Sequence, residues 1–139
     1  MTKIKLYCCE NSASEFLGSE AFRRAHPAIH VETLLCGGRL HYLSVNEAWD
    51  PGTRIMAFFL CPEDNCRFSH GNTRGADELL RLERDWAAVE AAVGTAVGVP
   101  RDKATGRRLR VYRLASCRPG ELARLVREIE QAAEVPRRE

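Results

Sequence analysis

Apolar residues along the chain form two kinds of pattern, short dense runs and longer amphipathic stretches. The runs are rich in aliphatic and aromatic residues and end close to Asn, Gly, Pro or Ser, which is typical of β-strands. The third run is continuously apolar rather than alternating, as expected for a strand in the middle of a parallel sheet covered on both faces. The four predicted strands are Ile4–Cys9, Ile29–Cys36, Arg54–Cys61 and Arg110–Cys117.

Helical periodicity follows each predicted strand. The predicted helices are one with Ala13, Phe16, Leu17 and Ala21 on its apolar face, a weaker one over Tyr42–Trp49, a long one from about Gly75, and a last one from Pro119 to before Pro136. Alternation of strands and helices predicts an α/β domain with a parallel sheet and right-handed crossovers. We therefore expect a small flavodoxin-like or Rossmann-like three-layer domain with a four-stranded parallel sheet.

The length of 139 residues is close to the commonest size of one domain. Hydrophobic residues make up 45% of the chain and charged residues 29%, which is ordinary globular usage. We expect a single domain over residues 1–139, with a surface loop over Gly94–Arg108 and a flexible tail over residues 134–139.

Charge and hydropathy exclude several classes of protein. The net charge is +2, and no basic stripe is interleaved with aromatic residues, so the chain is not expected to bind nucleic acid. The longest apolar run, Ile55–Cys61, is far shorter than the roughly 20 residues that span a bilayer. The first residues lack the apolar region of a signal peptide. We therefore expect a cytoplasmic protein without a membrane span.

Cysteine is abundant for a cytoplasmic chain, which favours metal binding or redox chemistry over structural disulfides. The alternative is that the thiols are small buried apolar groups. Because each predicted strand ends at a cysteine, the thiols should gather at the carboxyl edge of the sheet, where open parallel sheets bind ligands. The six are Cys8, Cys9, Cys36, Cys61, Cys66 and Cys117.

Four of these cysteines are candidate metal ligands. Cys61 and Cys66 have four residues between them, a spacing found in plant-type [2Fe–2S] proteins, and Cys9 and Cys36 close the adjoining strands. The same four sulfurs could hold one zinc ion in tetrahedral geometry, and spacing does not choose between cluster and zinc.

Residues beside the candidate ligands suit a negatively charged centre. Gly37 and Gly38 allow backbone N–H groups to approach the sulfur of Cys36. Arg39 and Arg67 place cations beside the ligands, where they would stabilise the centre and raise its reduction potential. The alternative for both arginines is a solvated surface charge.

Other chemistries lack their sequence signatures. No Gly-rich phosphate-binding loop follows the first strand, and no Cys-x-x-Cys pair is present. Cys8 and Cys9 are adjacent and so point to opposite faces of a strand, which weakens a thiol-redox or sensor function. The histidines have no ligand spacing and are expected to be surface or structural residues, namely His26, His30, His41 and His70.

The motifs around the candidate ligands resemble those of a known family, the iron–sulfur delta subunit of methyl-viologen-reducing hydrogenase. The matching segments are Cys9-Glu10-Asn11-Ser12-Ala13, Cys36-Gly37-Gly38-Arg39 and Cys61-Pro62-Glu63-Asp64-Asn65-Cys66, the last followed by Gly71-Asn72. The resemblance covers nearly the whole chain. Ser12 is a departure, since many relatives have a cysteine there.

The resemblance implies an electron-transfer subunit rather than an enzyme acting alone. It implies one [2Fe–2S] cluster, held by Cys9, Cys36, Cys61 and Cys66, because Cys8 and Cys117 match no ligand position. The implied partners are a hydrogenase or formate dehydrogenase as electron donor and a heterodisulfide reductase-like flavoprotein as acceptor. We expect an apolar and basic interface near the cluster that includes Arg39, Tyr42 and Phe68. The alternative function is a zinc-stabilised interaction module with four cysteine ligands.

Overall fold

The structure is a computed structural model that describes residues 4–10, 13–49, 52–62, 70–97, 108–113 and 118–133. Its strands form one parallel sheet in the order β2-β1-β3-β4. Helices connect the strands, so the predicted α/β class with a four-stranded parallel sheet is confirmed. In chain order the elements are β1 (Ile4–Cys9), α1 (Ser14–Leu17), α2 (Glu20–Ala25), β2 (Ile29–Leu34), a 3-10 turn (Gly37–Arg39), α3 (Tyr42–Glu47), β3 (Ile55–Leu60), α4 (Gly71–Val97), β4 (Arg108–Arg113) and α5 (Pro119–Ala132).

Strands β1 and β3 occupy the two central positions of the sheet because both carry apolar residues on both faces. Every residue of β3 is buried, which confirms its predicted place inside the sheet. Ile4 pairs with Ile55, and the pairing continues in register to Cys8 and Phe59. Neighbouring aromatic rings on the two strands also stack, with 4.9 Å between the ring centroids of Tyr7 and Phe58.

Each face of the sheet packs against its own set of helices, which gives the three predicted layers. Alternate residues of β1 and β3 contact α1, α2 and α5 on one face, through an apolar cluster that includes Leu17, Phe22 and Ile129. The other residues of the two strands contact α3 and α4 on the opposite face, through a cluster that includes Val45 and Trp86. A residue's position along a central strand therefore decides which layer it contacts.

The strand order reverses direction between β1 and β3. The connection after β1 leads to β2 at one side of the sheet, and the connection after β3 leads to β4 at the other. This is the order of the first four strands of a flavodoxin-like sheet, in which ligands bind beside the carboxyl ends of the strands at the reversal. The fold therefore points to the ends of β1 and β3 as the place to look for a site.

Several predicted element boundaries are wrong. Strand β2 ends at Leu34 because Cys36 instead caps the 3-10 turn, its sulfur accepting a hydrogen bond from the N–H of Gly38. Strand β4 covers Arg108–Arg113 and so begins before the predicted Arg110, while residues 114–117 of the predicted strand lie outside the described residues. The first predicted helix is two helices, since α1 ends with Gly18 as its C-cap and Ser19 caps the next helix by accepting from the N–H of Phe22.

The long helix α4 is longer than predicted at both ends. It begins at Gly71 rather than near Gly75 and continues to Val97, so the predicted surface loop over Gly94–Arg108 is helical in its first residues. The rest of that loop, up to the start of β4, and the predicted tail at residues 134–139 lie outside the described residues. Among the helices that the structure describes, not even the 27-residue α4 combines the length and the apolar character needed to span a membrane.

Candidate functional site

Three of the four candidate ligands lie at the carboxyl edge of the sheet. Cys9 is the last residue of β1, Cys61 directly follows β3, and Cys36 is two residues beyond β2. All three are buried and none forms a disulfide. The fourth candidate, Cys66, lies outside the described residues, as do Arg67 and Phe68.

Cys9 and Cys61 lie on the same face of the sheet, at the point where the strand order reverses. Both belong to the apolar cluster between the sheet and helices α3 and α4, together with Leu60 and Leu79. The structure thus places two thiols at the ends of the two neighbouring central strands, which is the edge where doubly wound folds bind ligands.

Cys8 lies on the opposite face of the sheet from Cys9. Its side chain is fully buried in the cluster beneath α1, α2 and α5, with its sulfur 3.8 Å from Oγ1 of Thr33. Burial raises the pKa of the Cys8 thiol to about 11, and the hydrogen bond with Thr33 offsets only part of that effect. Cys8 is therefore a packed, protonated thiol, while Cys117 lies outside the described residues.

Cys36 is held by a tight turn that its own side chain helps to form. The N–H of Gly38 donates to its sulfur at 3.3 Å, and Arg39 and Leu40 close the 3-10 turn through backbone hydrogen bonds. An amide N–H directed at a sulfur stabilises a thiolate and a metal-bound thiolate alike. The observed contact agrees with the prediction that the two glycines allow a backbone N–H group to approach this sulfur.

The glycines of this turn also have a packing function that the sequence did not reveal. A Cβ at Gly37 would lie 2.9 Å from Cδ2 of Leu60, and one at Gly38 would lie 2.9 Å from Cα of Gly71. On the helix side, a Cβ at Gly75 would lie 2.4 Å from the carbonyl oxygen of Gly37. The turn and α4 therefore pack backbone to backbone, and the spacing of Gly71 and Gly75, four residues apart on one helix face, was the available signal.

Asn72 fixes the backbone just after β3. It is fully buried at the start of α4, and its Nδ2 donates to the carbonyl oxygens of Cys61 at 3.1 Å and Pro62 at 2.7 Å. Its Oδ1 accepts from the N–H of Thr73 at 2.8 Å, which satisfies a first-turn donor of the helix. One side chain thus links the start of α4 to the segment that leads from Cys61 toward Cys66.

A groove of about 560 Å³ opens beside Cys36. Its lining includes Arg39, as predicted for a cation near the site, and also His70 and Arg74, to which sequence reasoning gave no function. Both arginines are exposed.

The histidines have the surface or structural settings that were predicted. His26 contacts the buried carboxylate of Glu130, and His41 caps α3 by accepting from the N–H of Leu43. His30 and His70 are exposed.

The donor chemistry of the candidate ligands fits a thiolate-bound metal or cluster. Buried reduced sulfurs, one of them accepting an amide N–H, are soft donors of the kind that bind zinc and iron–sulfur clusters. Within the residues that the structure describes, however, no three His, Cys, Asp or Glu side chains come together as a metal-binding group. A site with four sulfurs would need Cys66, which lies in the segment from 63 to 69.

Comparison with known proteins identifies the family. Curated proteins give no significant match. The family model described as methyl-viologen-reducing hydrogenase, delta subunit, matches residues 4–91. The matched region runs from β1 into α4 and contains all four candidate ligands, while β4 and α5 lie beyond it. The chain therefore belongs to the delta-subunit family of methyl-viologen-reducing hydrogenase, a family of hydrogenase-associated electron-transfer subunits.

Proposed function

We propose that the chain is an electron-relay subunit that carries one [2Fe–2S] cluster. The observation that carries the proposal is the placement of buried, reduced Cys9, Cys36 and Cys61 at the carboxyl ends of three adjacent parallel strands. The family to which the chain belongs supports an electron-transfer role for these thiols. The cluster would be held by these three residues and Cys66, and when bound it would supply one-electron transfer without proton chemistry.

The chain's own residues would prepare the ligands for this role. The N–H of Gly38 would stabilise charge on the sulfur of Cys36, and hydrogen bonds to sulfur raise the potential of an iron–sulfur centre. Asn72 would fix the backbone that presents Cys61, so that the ligand does not need to be ordered when the metal binds. Arg39 and Arg67 would lower the cost of the negative charge on the centre.

The proposed partners are a hydrogenase or formate dehydrogenase that donates electrons and a heterodisulfide reductase-like flavoprotein that accepts them. We place this relay in the cytoplasm, where cysteine thiols stay reduced. Electron transfer between protein-bound centres depends on docking rather than on a substrate pocket. The chain itself would therefore need no acid or base residue at the site.

Anaerobic purification of the full chain tests this function. We expect about two irons per chain, the stoichiometry of a [2Fe–2S] centre, with visible absorption and an S = 1/2 EPR signal after dithionite reduction. Cys36→Ser should abolish the absorption, whereas Cys8→Ser, a matched change at a buried thiol on the other face, should keep it.

Two results would overturn the proposal. One is an intact cluster in Cys36→Ser or Cys61→Ser. The other is about one zinc per chain with no iron after anaerobic reconstitution with iron and sulfide, together with unfolding by chelators, which is the behaviour of a zinc-stabilised four-cysteine module.

A further inference from the structure

The groove beside Cys36 has the composition of a protein-docking surface. Its lining includes an exposed leucine, two exposed arginines and the exposed Gly38 of the 3-10 turn. Leu35, between β2 and Cys36, is 43% exposed. The residue before it, Leu34, ends β2 and packs against the apolar cluster between the sheet and helices α3 and α4. Arginine is enriched at protein interfaces, and an exposed leucine beside it adds apolar area that a partner can cover.

The described part of the groove lining has positively charged side chains only. Arg39 and Arg74 both line the groove, and no carboxylate belongs to the described lining. Elsewhere, some exposed arginines on helices pair with glutamates of their own helix, as Arg24 does with Glu20 and Arg124 with Glu128. Among the residues that the structure describes, no ion pair involves either groove arginine. Two guanidinium groups that line one groove match carboxylates supplied by another molecule.

The position of the groove next to Cys36 connects such a contact with electron transfer. Cys36, one of the proposed cluster ligands, belongs to its lining, and the turn that holds this thiol is packed directly on α4. A partner seated here would lie against the backbone that carries a ligand, and electron transfer weakens steeply with distance. Opposite charges would also raise the rate of encounter, because long-range attraction steers two proteins together.

We propose that this groove docks an acidic segment of the partner electron-transfer protein, with carboxylates paired to Arg39 and Arg74 and an apolar side chain covering Leu35. The inference deepens the proposed function and rests on it for the identity of the partner. The chemistry of recognition rests on the groove alone. An acidic and apolar peptide surface would contact the two arginines and the leucine of the groove.

Isothermal titration calorimetry of the full, anaerobically purified chain with a synthetic hexaglutamate peptide tests the proposal. The peptide should bind, and its affinity should fall with added salt. The double variant Arg39→Glu/Arg74→Glu should lower the affinity by about tenfold or more, since both charge pairs become repulsive. Arg84→Glu is the matched control, because this exposed arginine lies on the same helix α4 outside the groove lining, and it should change the affinity by less than about twofold.

Three results would overturn the proposal. The first is hexaglutamate binding that the double variant leaves unchanged, in a sample whose circular dichroism spectrum matches that of the wild-type chain. The second is inorganic phosphate binding at similar affinity and with the same loss in the double variant, which would make the groove a site for free anions. The third is self-association of the chain that the double variant removes, which would make the occupant a second copy.

Iron content measured on the same samples separates the two proposals. Peptide binding at the groove in a chain without iron would contradict the electron-relay function and keep the docking surface. An iron-loaded chain whose groove does not bind the peptide would contradict the docking surface and keep the electron-relay function.

Discussion

The two faces of the sheet place cysteines in different surroundings. Cys8 and Cys9 are adjacent in β1, yet Cys8 packs under α1, α2 and α5 while Cys9 packs under α3 and α4. On the first face the cluster around Cys8 is apolar, and the thiol behaves as one more small core group with a raised pKa. On the second face, Asn72 holds the backbone at Cys61, and α4 packs against the turn of Cys36 beside a groove with two arginines. The comparison teaches that the surroundings of a cysteine, rather than its burial, separate a core thiol from a candidate ligand.

Helix contacts distinguish the two faces further. Helix α5 meets the sheet through ordinary side-chain packing by Leu122, Val126 and Ile129. Helix α4 meets the 3-10 turn through glycine backbone and meets the end of β3 through Asn72. Close backbone packing and side-chain to backbone hydrogen bonds hold atoms in place more narrowly than apolar contact does. The face with the candidate site is therefore the more precisely fixed of the two.

The largest expected effect belongs to Asn72. Asn72→Ala would remove the amide donor of the buried Cys61 and Pro62 carbonyl oxygens, so the free energy of unfolding should fall by about 2–4 kcal/mol in urea denaturation. Asn46→Ala is the control, because the exposed Asn46 makes a single side-chain bond to Nε1 of Trp86, and it should cost about 0.5–1.5 kcal/mol. Equal midpoints for Asn72→Ala and the wild-type chain would contradict the account of this face.

The same substitution at two glycines should act in opposite directions on the two faces. Gly75→Ala places a Cβ against the carbonyl oxygen of Gly37 and should lower the free energy of unfolding by about 1–3 kcal/mol. Gly120→Ala, at the start of α5, meets no atom within 4 Å and should raise it by up to about 1 kcal/mol through helix propensity. Thermal unfolding of the two variants measures both effects, and a stabilised Gly75→Ala would show that the turn and α4 are not in backbone contact.

The smallest expected effect belongs to Cys8. Cys8→Ala removes one buried sulfur from the apolar face and should lower the free energy of unfolding by about 1 kcal/mol, without changing the iron content of the purified chain. Cys9→Ala, one residue along, should lose the iron under the proposed function. Iron loss in Cys8→Ala at retained stability would break the distinction between the two faces.

The α/β class and the inner place of β3 could be predicted from the sequence because both depend on local pattern. The apolar run at Ile55–Leu60 has no polar face, so it had to be an inner strand, and its observed burial is complete. The alternation of strands and helices limits the fold to a parallel α/β sheet. Boundaries were less predictable where a side chain competes with the strand, as Cys36 does by capping its own turn rather than extending β2.

The residues of the candidate site also fall into those that the sequence predicted and those that only the structure revealed. The four cysteines, the two glycines of the turn and Arg39 are visible in the sequence because each belongs to a short motif. Arg74 and the packing function of Gly75 were missed, since they reach the turn only when α4 folds back across the sheet. Asn72 was visible as part of a motif, but its two bonds to the backbone after β3 span ten residues or more.

By itself, then, the sequence determined the fold class, the inner place of β3 and the gathering of Cys9, Cys36 and Cys61 near the carboxyl edge of the sheet, because hydrophobic periodicity and motif spacing act over a few residues. Only the tertiary structure decided which thiol belongs to which face, which glycines meet and which arginines share a groove. Those outcomes depend on the register of β1 against β3 and on the packing of α4 against the turn, and contacts between distant segments are set by the whole core rather than by any local pattern.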